Sequence, residues 1–191
     1  MNNNALKVLI FVVVMGTAAG LLLIGVNAFT SPMISRNEEL KTKSSVLSVL
    51  EISYSKSDII KIFDEQIKIS KRGAYTFYNG PDSSLAFEFR GPGLWGPISG
   101  FISLEKDLKT IRKIKITHQE ETPGLGGRIA EADYLKQFKN KVVLPSLVFV
   151  PAGKAARNNE VDSITGATGS SRAMERLINE NVKKYLSAIK G

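Results

Sequence analysis

The chain has 191 residues, 26 Lys and Arg against 18 Asp and Glu, a net charge of +8, and 43% hydrophobic against 23% charged residues. That is enough chain for one domain with appendages, too apolar for a disordered segment and too polar for a multi-span membrane protein. With no Cys and one His, disulfide frameworks, Cys-bound zinc, iron–sulfur clusters and thiol catalysis are excluded. A His-rich metal centre or a Ser-His-Asp hydrolase has no support, and any redox chemistry falls to an organic cofactor.

Residues Val8 to Val26 are apolar or small throughout, with Thr17 the one polar side chain. About 20 such residues at 1.5 Å rise cover the roughly 30 Å hydrocarbon core, so the run passes the length test for a transmembrane helix. A signal peptide is the competing reading, with Lys7 as the charged start and Val26-Asn27-Ala28 near a cut, but the run exceeds the 7–15 residues usual for such a core. Gly16 and Gly20 have the spacing that lets a neighbouring helix approach. Lys7 lies on one side and Arg36, Lys41 and Lys43 on the other, so charge leaves the orientation open.

After Ser31-Pro32 the pattern becomes amphipathic, and Leu40, Val46, Leu47 and Leu50 predict a helix over 36–50. From Ile67 to Ile116 short β-branched or aromatic runs follow one another: 67–69, 74–78, 85–89, 98–104 and 111–116, separated by Gly, Pro, Asn or Asp. They predict successive strands of an antiparallel sheet. A further short strand is expected at 146–150. The chain ends in a predicted helix over 170–189, where Met174, Leu177, Ile178, Val182, Tyr185, Leu186 and Ile189 keep the 3.6-residue period. Helices on both sides of a run of strands give an α+β fold, divided as an anchor over 1–30, a helical connector over 31–66 and a domain over 67–191.

Three segments carry chemistry. The first, Asp162-Ser-Ile-Thr165-Gly166-Ala167-Thr168-Gly-Ser170-Ser171, stands just before the last helix, where free backbone N–H groups and the helix dipole favour a phosphate. Its plain structural reading is a loop with Ser170 or Ser171 as N-cap and an Asx turn at Asp162. The second, Glu120-Glu121-Thr122-Pro123-Gly124-Leu125-Gly126-Gly127, describes a tight turn whose backbone can approach a flat ligand. The third, Gly91-Pro-Gly93-Leu94-Trp95-Gly-Pro97, holds the one Trp of the chain, which must pack against the core or a ligand face.

These segments resemble a known family in kind and in order. Asp162-x-x-Thr165-Gly166-Ala167-Thr168 is similar to the acceptor motif of flavin transferases, which attach FMN to a Thr hydroxyl through a phosphoester. The resemblance implies that Thr168 carries covalent FMN and that Asp162 assists the transferase. Glu121-Thr-Pro-Gly-Leu-Gly126 and the Gly-Leu-Trp turn resemble loops of the FMN-binding subunits of two respiratory complexes. These are NqrC of the sodium-translocating NADH:quinone reductase (Nqr) and RnfG of the ion-translocating ferredoxin:NAD oxidoreductase (Rnf). By that resemblance Glu121, Thr122, Gly124, Leu125, Leu94 and Trp95 are ring-contact candidates, with Thr165, Gly166 and Ala167 beside the attachment point. His118, three residues before Glu121, is given no role. The Gly-Leu-Trp turn favours the Nqr type and the short length the Rnf type.

The resemblance further implies a single-pass subunit of a respiratory oxidoreductase complex in a bacterial inner membrane, with its soluble domain on the periplasmic side. Its partners would be the other membrane subunits and a flavin transferase, and it would not be a complete enzyme alone. The basic stretch Arg112-Lys-Ile-Lys115 with Lys136, Lys139 and Lys141 fits a solvated face, anionic lipid or an acidic partner. No nucleic-acid motif accompanies it, and no Gly-x-Gly-x-x-Gly dinucleotide pattern is present. The competing functional reading is a membrane-tethered binding module without redox chemistry, and a third is a free-standing flavin reductase.

Overall fold

In a computed structural model that describes residues 3–190, helix α1 runs from Asn3 to Val49 and continues through Pro32. The Thr30 hydroxyl, two residues before that proline, back-bonds to the Val26 carbonyl at 2.8 Å, and the helix is not ended there. Among the described residues, α1 is the one helix long and apolar enough to cross a membrane, and none of its most apolar stretch is buried. The backbone forms two compact units, one up to Thr42 and one from Lys43 onward.

The second unit is built on a five-stranded antiparallel meander, β1 (Lys68–Arg72), β2 (Tyr75–Asn79), β3 (Leu85–Pro92), β4 (Pro97–Leu104) and β5 (Ile111–Gln119), in that spatial order. All five strands overlap the runs read from the sequence, whose β-branched and aromatic residues suit strands; β1 is exposed throughout, while β3 and β4 bury residues on both faces. One face buries Phe87, Phe89, Ile102, Leu104, Ile111 and Ile114 against Met174, Leu177, Ile178, Val182 and Leu186 of helix α4 (Thr168–Lys190). Each such side chain contributes about 1.5–3 kcal/mol by leaving water.

The opposite face is covered by the end of α1, whose Val46, Leu47 and Val49 are buried, and by helix α2 (Ile59–Gln66) through Ile59 and Phe63. Phe63 meets Tyr78 edge to face, Tyr78 meets Phe101, and the Ser103 hydroxyl donates to the Val49 carbonyl. The core thus draws on the second half of the stretch expected as a connector.

Beyond β5 the chain makes a 3-10 turn (Gly126–Ala130), the short helix α3 (Ala132–Lys136), and two three-residue strands, β6 (Val148–Val150) and β7 (Glu160–Asp162), paired in parallel. β6 was expected and β7 was not, since three residues show no period. β5 carries two irregularities against β4, between Ser99 and Gly100 and between Ser103 and Leu104. Such bulges bend a strand; the first lies near the end of β5, where it enters the Glu120–Gly127 loop, and the second at its start.

Candidate functional site

The turn between β3 and β4, the loop after β5 and the start of α4 are far apart in sequence, and one carboxylate joins them. Glu121 is 4% exposed. Its Oε1 accepts the backbone N–H of Leu94 at 2.6 Å and of Trp95 at 3.2 Å, and its Oε2 accepts the Ser170 hydroxyl at 2.6 Å. The Glu121 N–H donates to Gln119 Oε1 at 2.6 Å, which fixes the residue at the end of β5. Three donors to one buried carboxylate satisfy its charge with short, charge-assisted bonds.

The loops are shaped to allow this approach. Gly124 and Gly166 have φ of +73° and +79°, the left-handed region that glycine enters without strain. The Thr122 carbonyl closes its turn by accepting the N–H groups of Leu125 at 3.1 Å and Gly127 at 2.9 Å. A Cβ on Gly126 would collide with the Ser170 hydroxyl and with the Glu121 carboxylate, so the helix start can lie against this loop only over a glycine.

Thr168 is the first residue of α4 and is exposed, as are Thr165 and Gly166, while Ala167 is buried as the foot of the segment. The two serines do not cap the helix from outside it. Both lie in its first turn: Ser170 reaches Glu121, and Ser171 Oγ accepts the Ile164 N–H and donates to the Ala167 carbonyl, each at 3.0 Å. Those bonds fold the Thr165–Ala167 segment back on the helix and leave Thr168 outward at the end where N–H groups are free.

Asp162 is not in an Asx turn. It belongs to β7, its Oδ1 accepts the N–H groups of Lys154 at 3.0 Å and Ala155 at 2.9 Å, and its own N–H donates to Gln137 Oε1 at 2.7 Å. Gln137 and the 151–155 loop escaped the sequence reading, because an amide and a loop carry no periodic signal. Nearby, Tyr134 Oη is buried without a hydrogen bond among the described residues. Burial pushes its phenol pKa up, and the Asp162 charge adds to that.

The apolar side chains at the site face outward. Beyond α1, six large apolar side chains are exposed among the described residues, and Leu94, Trp95 and Leu125 are three of them. Trp95 is 74% exposed, so it does not pack in the core. Leu94 lies over Gly169, the residue after Thr168, and Leu125 is 3.6 Å from the Cβ position of Gly166. The outward threonine therefore has exposed apolar surface on both flanks, which suits a flat aromatic group tethered by phosphate. Glu121, in contrast, faces inward, with both carboxylate oxygens bonded to the protein. His118 is exposed and pairs with Glu120 at 3.2 Å.

Comparison with known proteins agrees with this geometry. The family model described as "FMN-binding domain" matches residues 93–183, from the Leu94 turn into α4. The NqrC subunit of the Na(+)-translocating NADH-quinone reductase of Pasteurella multocida is 33% identical over 112 residues, covering 56% of this chain and 42% of that protein. Its Vibrio parahaemolyticus counterpart is 33% identical over 122 residues, covering 57% and 47%. The chain spans about half the length of these relatives. The crystal structure of the same subunit from Parabacteroides distasonis superposes with a TM-score of 0.73 at 23% identity, covering 83% of this chain and 96% of that one. NqrC from Shewanella oneidensis gives 0.63 at 20% identity, covering 72% and 88%, so both share the fold. Residues 93–183 thus match the FMN-binding domain, and the chain is similar in sequence to the NqrC subunits of Na(+)-translocating NADH-quinone reductases.

Proposed function

We propose that this chain is a membrane-anchored flavoprotein subunit that relays electrons between neighbouring redox centres of an Nqr-type or Rnf-type complex. FMN would be held by a phosphoester to the Thr168 hydroxyl. The observation that carries the reading is the Glu121 bridge, which gathers the Leu94 turn, the Thr122–Gly126 loop and the start of α4 around that exposed hydroxyl. When bound, the isoalloxazine ring supplies the electron acceptor and donor that no side chain here provides.

The protein's own residues then have distinct tasks. Thr168 anchors and does not react further, the first turn of α4 offsets phosphate charge, and Leu94, Trp95 and Leu125 keep water from one side of the ring. Glu121 positions these loops without needing to touch the ring. Asp162 would be read by the transferase. On this reading 1–30 is the anchor, 31–66 the connector and 67–191 the flavin domain, with that domain on the periplasmic side of a bacterial inner membrane. The unburied apolar stretch of α1 supports the anchoring, because so much exposed apolar surface is unfavourable in water.

The test is co-expression with an active flavin transferase, followed by a denaturing gel under ultraviolet light. A fluorescent band for the wild type and a dark one for Thr168→Ala are expected. A dark wild-type band, with the transferase active on a known acceptor, would remove the covalent flavin and leave a tethered binding module without redox chemistry.

A further inference from the structure

A groove of about 560 Å³ lies away from the Thr168 loops, and consecutive residues of β5, 112–116, line it. Successive strand residues point to opposite faces of a sheet. Both sets can line one groove only where it runs along the edge of the strand, and β5 is an edge strand of the meander. At its start Ile111 exchanges backbone bonds with Lys141 and Asn140, each 2.8 Å. From Lys113 onward no backbone bond to the outer side of β5 occurs among the described residues. The far wall is apolar, formed by Ala130, Ala132 and Leu135.

The charge of this groove is one-sided. Arg112, Lys113, Lys115, Lys136 and Lys139 line it, against Glu51 as the one carboxylate. Lys139 pairs with Glu51 at 2.8 Å, whereas the partners of Arg112, Asp82 and Glu105, and of Lys136, Asp133, are not among the lining residues. The Lys136–Asp133 pair is exposed on both sides, and such a pair exchanges partners at little cost.

We propose that this edge receives an extended, acidic segment of a partner polypeptide, added as a further strand on β5 with its carboxylates along the lysines. An unpaired strand edge supplies main-chain bonds, alternate side chains meet the apolar wall, and the cations select the partner's sign. A second copy of this chain is disfavoured, since it brings a net charge of +8 to a basic groove. Lipid headgroups would match the charge and leave the strand edge unused.

The experiment uses the full chain in neutral detergent with a labelled nine-residue peptide alternating Glu and Val, and the same peptide with Lys in place of Glu. Anisotropy reports binding and hydrogen exchange reports the β5 amides of residues 113–117. Binding of the Glu peptide alone is expected, with slowed exchange at the alternate amides of this stretch that point away from β4, weakening as salt rises. The double variant Lys113→Glu, Lys136→Glu, whose side chains are exposed, is expected to bind at least about tenfold more weakly at unchanged thermal stability. No binding at about 1 mM peptide, exchange unaltered at 113–117, or affinity unchanged by the charge reversal would overturn the proposal. So would protection of these amides by phosphatidylglycerol vesicles and not by the peptide.

Discussion

The Glu121 carboxylate accepts the Ser170 hydroxyl at 2.6 Å across 49 residues of sequence, and both groups are buried. The loop after β5 and the start of α4 are thereby one unit, and the Leu94 turn joins it through the second carboxylate oxygen. Removing this carboxylate is expected to leave buried N–H groups and a hydroxyl unpaired, at about 1–3 kcal/mol each. Glu121→Ala should lower the melting temperature by several degrees, and Glu121→Gln by less because one carbonyl oxygen remains. Thermal unfolding of the full chain in detergent checks this, and a melting temperature unchanged in both variants would remove Glu121 from its role.

Gly126 and Gly169 separate fold from site. A Cβ on Gly126 meets the Ser170 hydroxyl and the Glu121 carboxylate, whereas one on Gly169 meets only the flexible end of Leu94, at 2.7 Å. Gly126→Ala is expected to cost about 1–3 kcal/mol by breaking a buried bond. Gly169→Ala should be near neutral, since alanine gains up to about 1 kcal/mol of helix propensity, yet it displaces Leu94 beside Thr168 and should slow flavin attachment. Urea unfolding and in-gel flavin fluorescence, measured on both variants, separate the two effects.

Asp82 gives the acid limb of stability. The Arg112 guanidinium bonded to it holds its carboxyl well below the usual carboxylate range, with burial opposing and the Ser84 hydroxyl and N–H assisting. A depressed folded-state pKa gives stability that is present above the unfolded value, about 3.9, and lost as pH falls below it. Asp82→Asn should therefore lower the melting temperature at neutral pH and flatten its fall between about pH 4 and pH 2. An acid limb as steep as in the wild type would show that other carboxylates govern it.

Tyr134→Phe is expected to leave stability at neutral pH unchanged or slightly raised, because its hydroxyl is buried without a hydrogen bond among the described residues. Its raised phenol pKa works in the opposite direction to that of Asp82. The contribution is full below the unfolded value of about 10 and is lost as pH rises above it. The variant should keep more of its stability above pH 10 than the wild type, as followed by circular dichroism.

Trp95 is 74% exposed beside the proposed ring site. Its fluorescence should be strongly quenched in flavin-loaded protein and restored in Thr168→Ala. Equal emission from both would place the ring away from the Leu94 turn.

The amino-acid sequence by itself determined the elements that residue type marks: the unbroken apolar run of α1, the five β-branched and aromatic strand runs and the amphipathic face of α4. It also named the three glycine-rich segments, since turns demand glycine and proline locally. Only the tertiary structure decided that Glu121 turns inward to hold those segments together, that Trp95 turns outward, and that Asp162 holds the 151–155 loop. The carboxylate bonds among these join groups that folding brings together from positions 7 to 49 residues away. A carboxylate looks the same in sequence whether water or three buried donors will satisfy it. Burial and partners, which select between the two, exist only after the chain has folded.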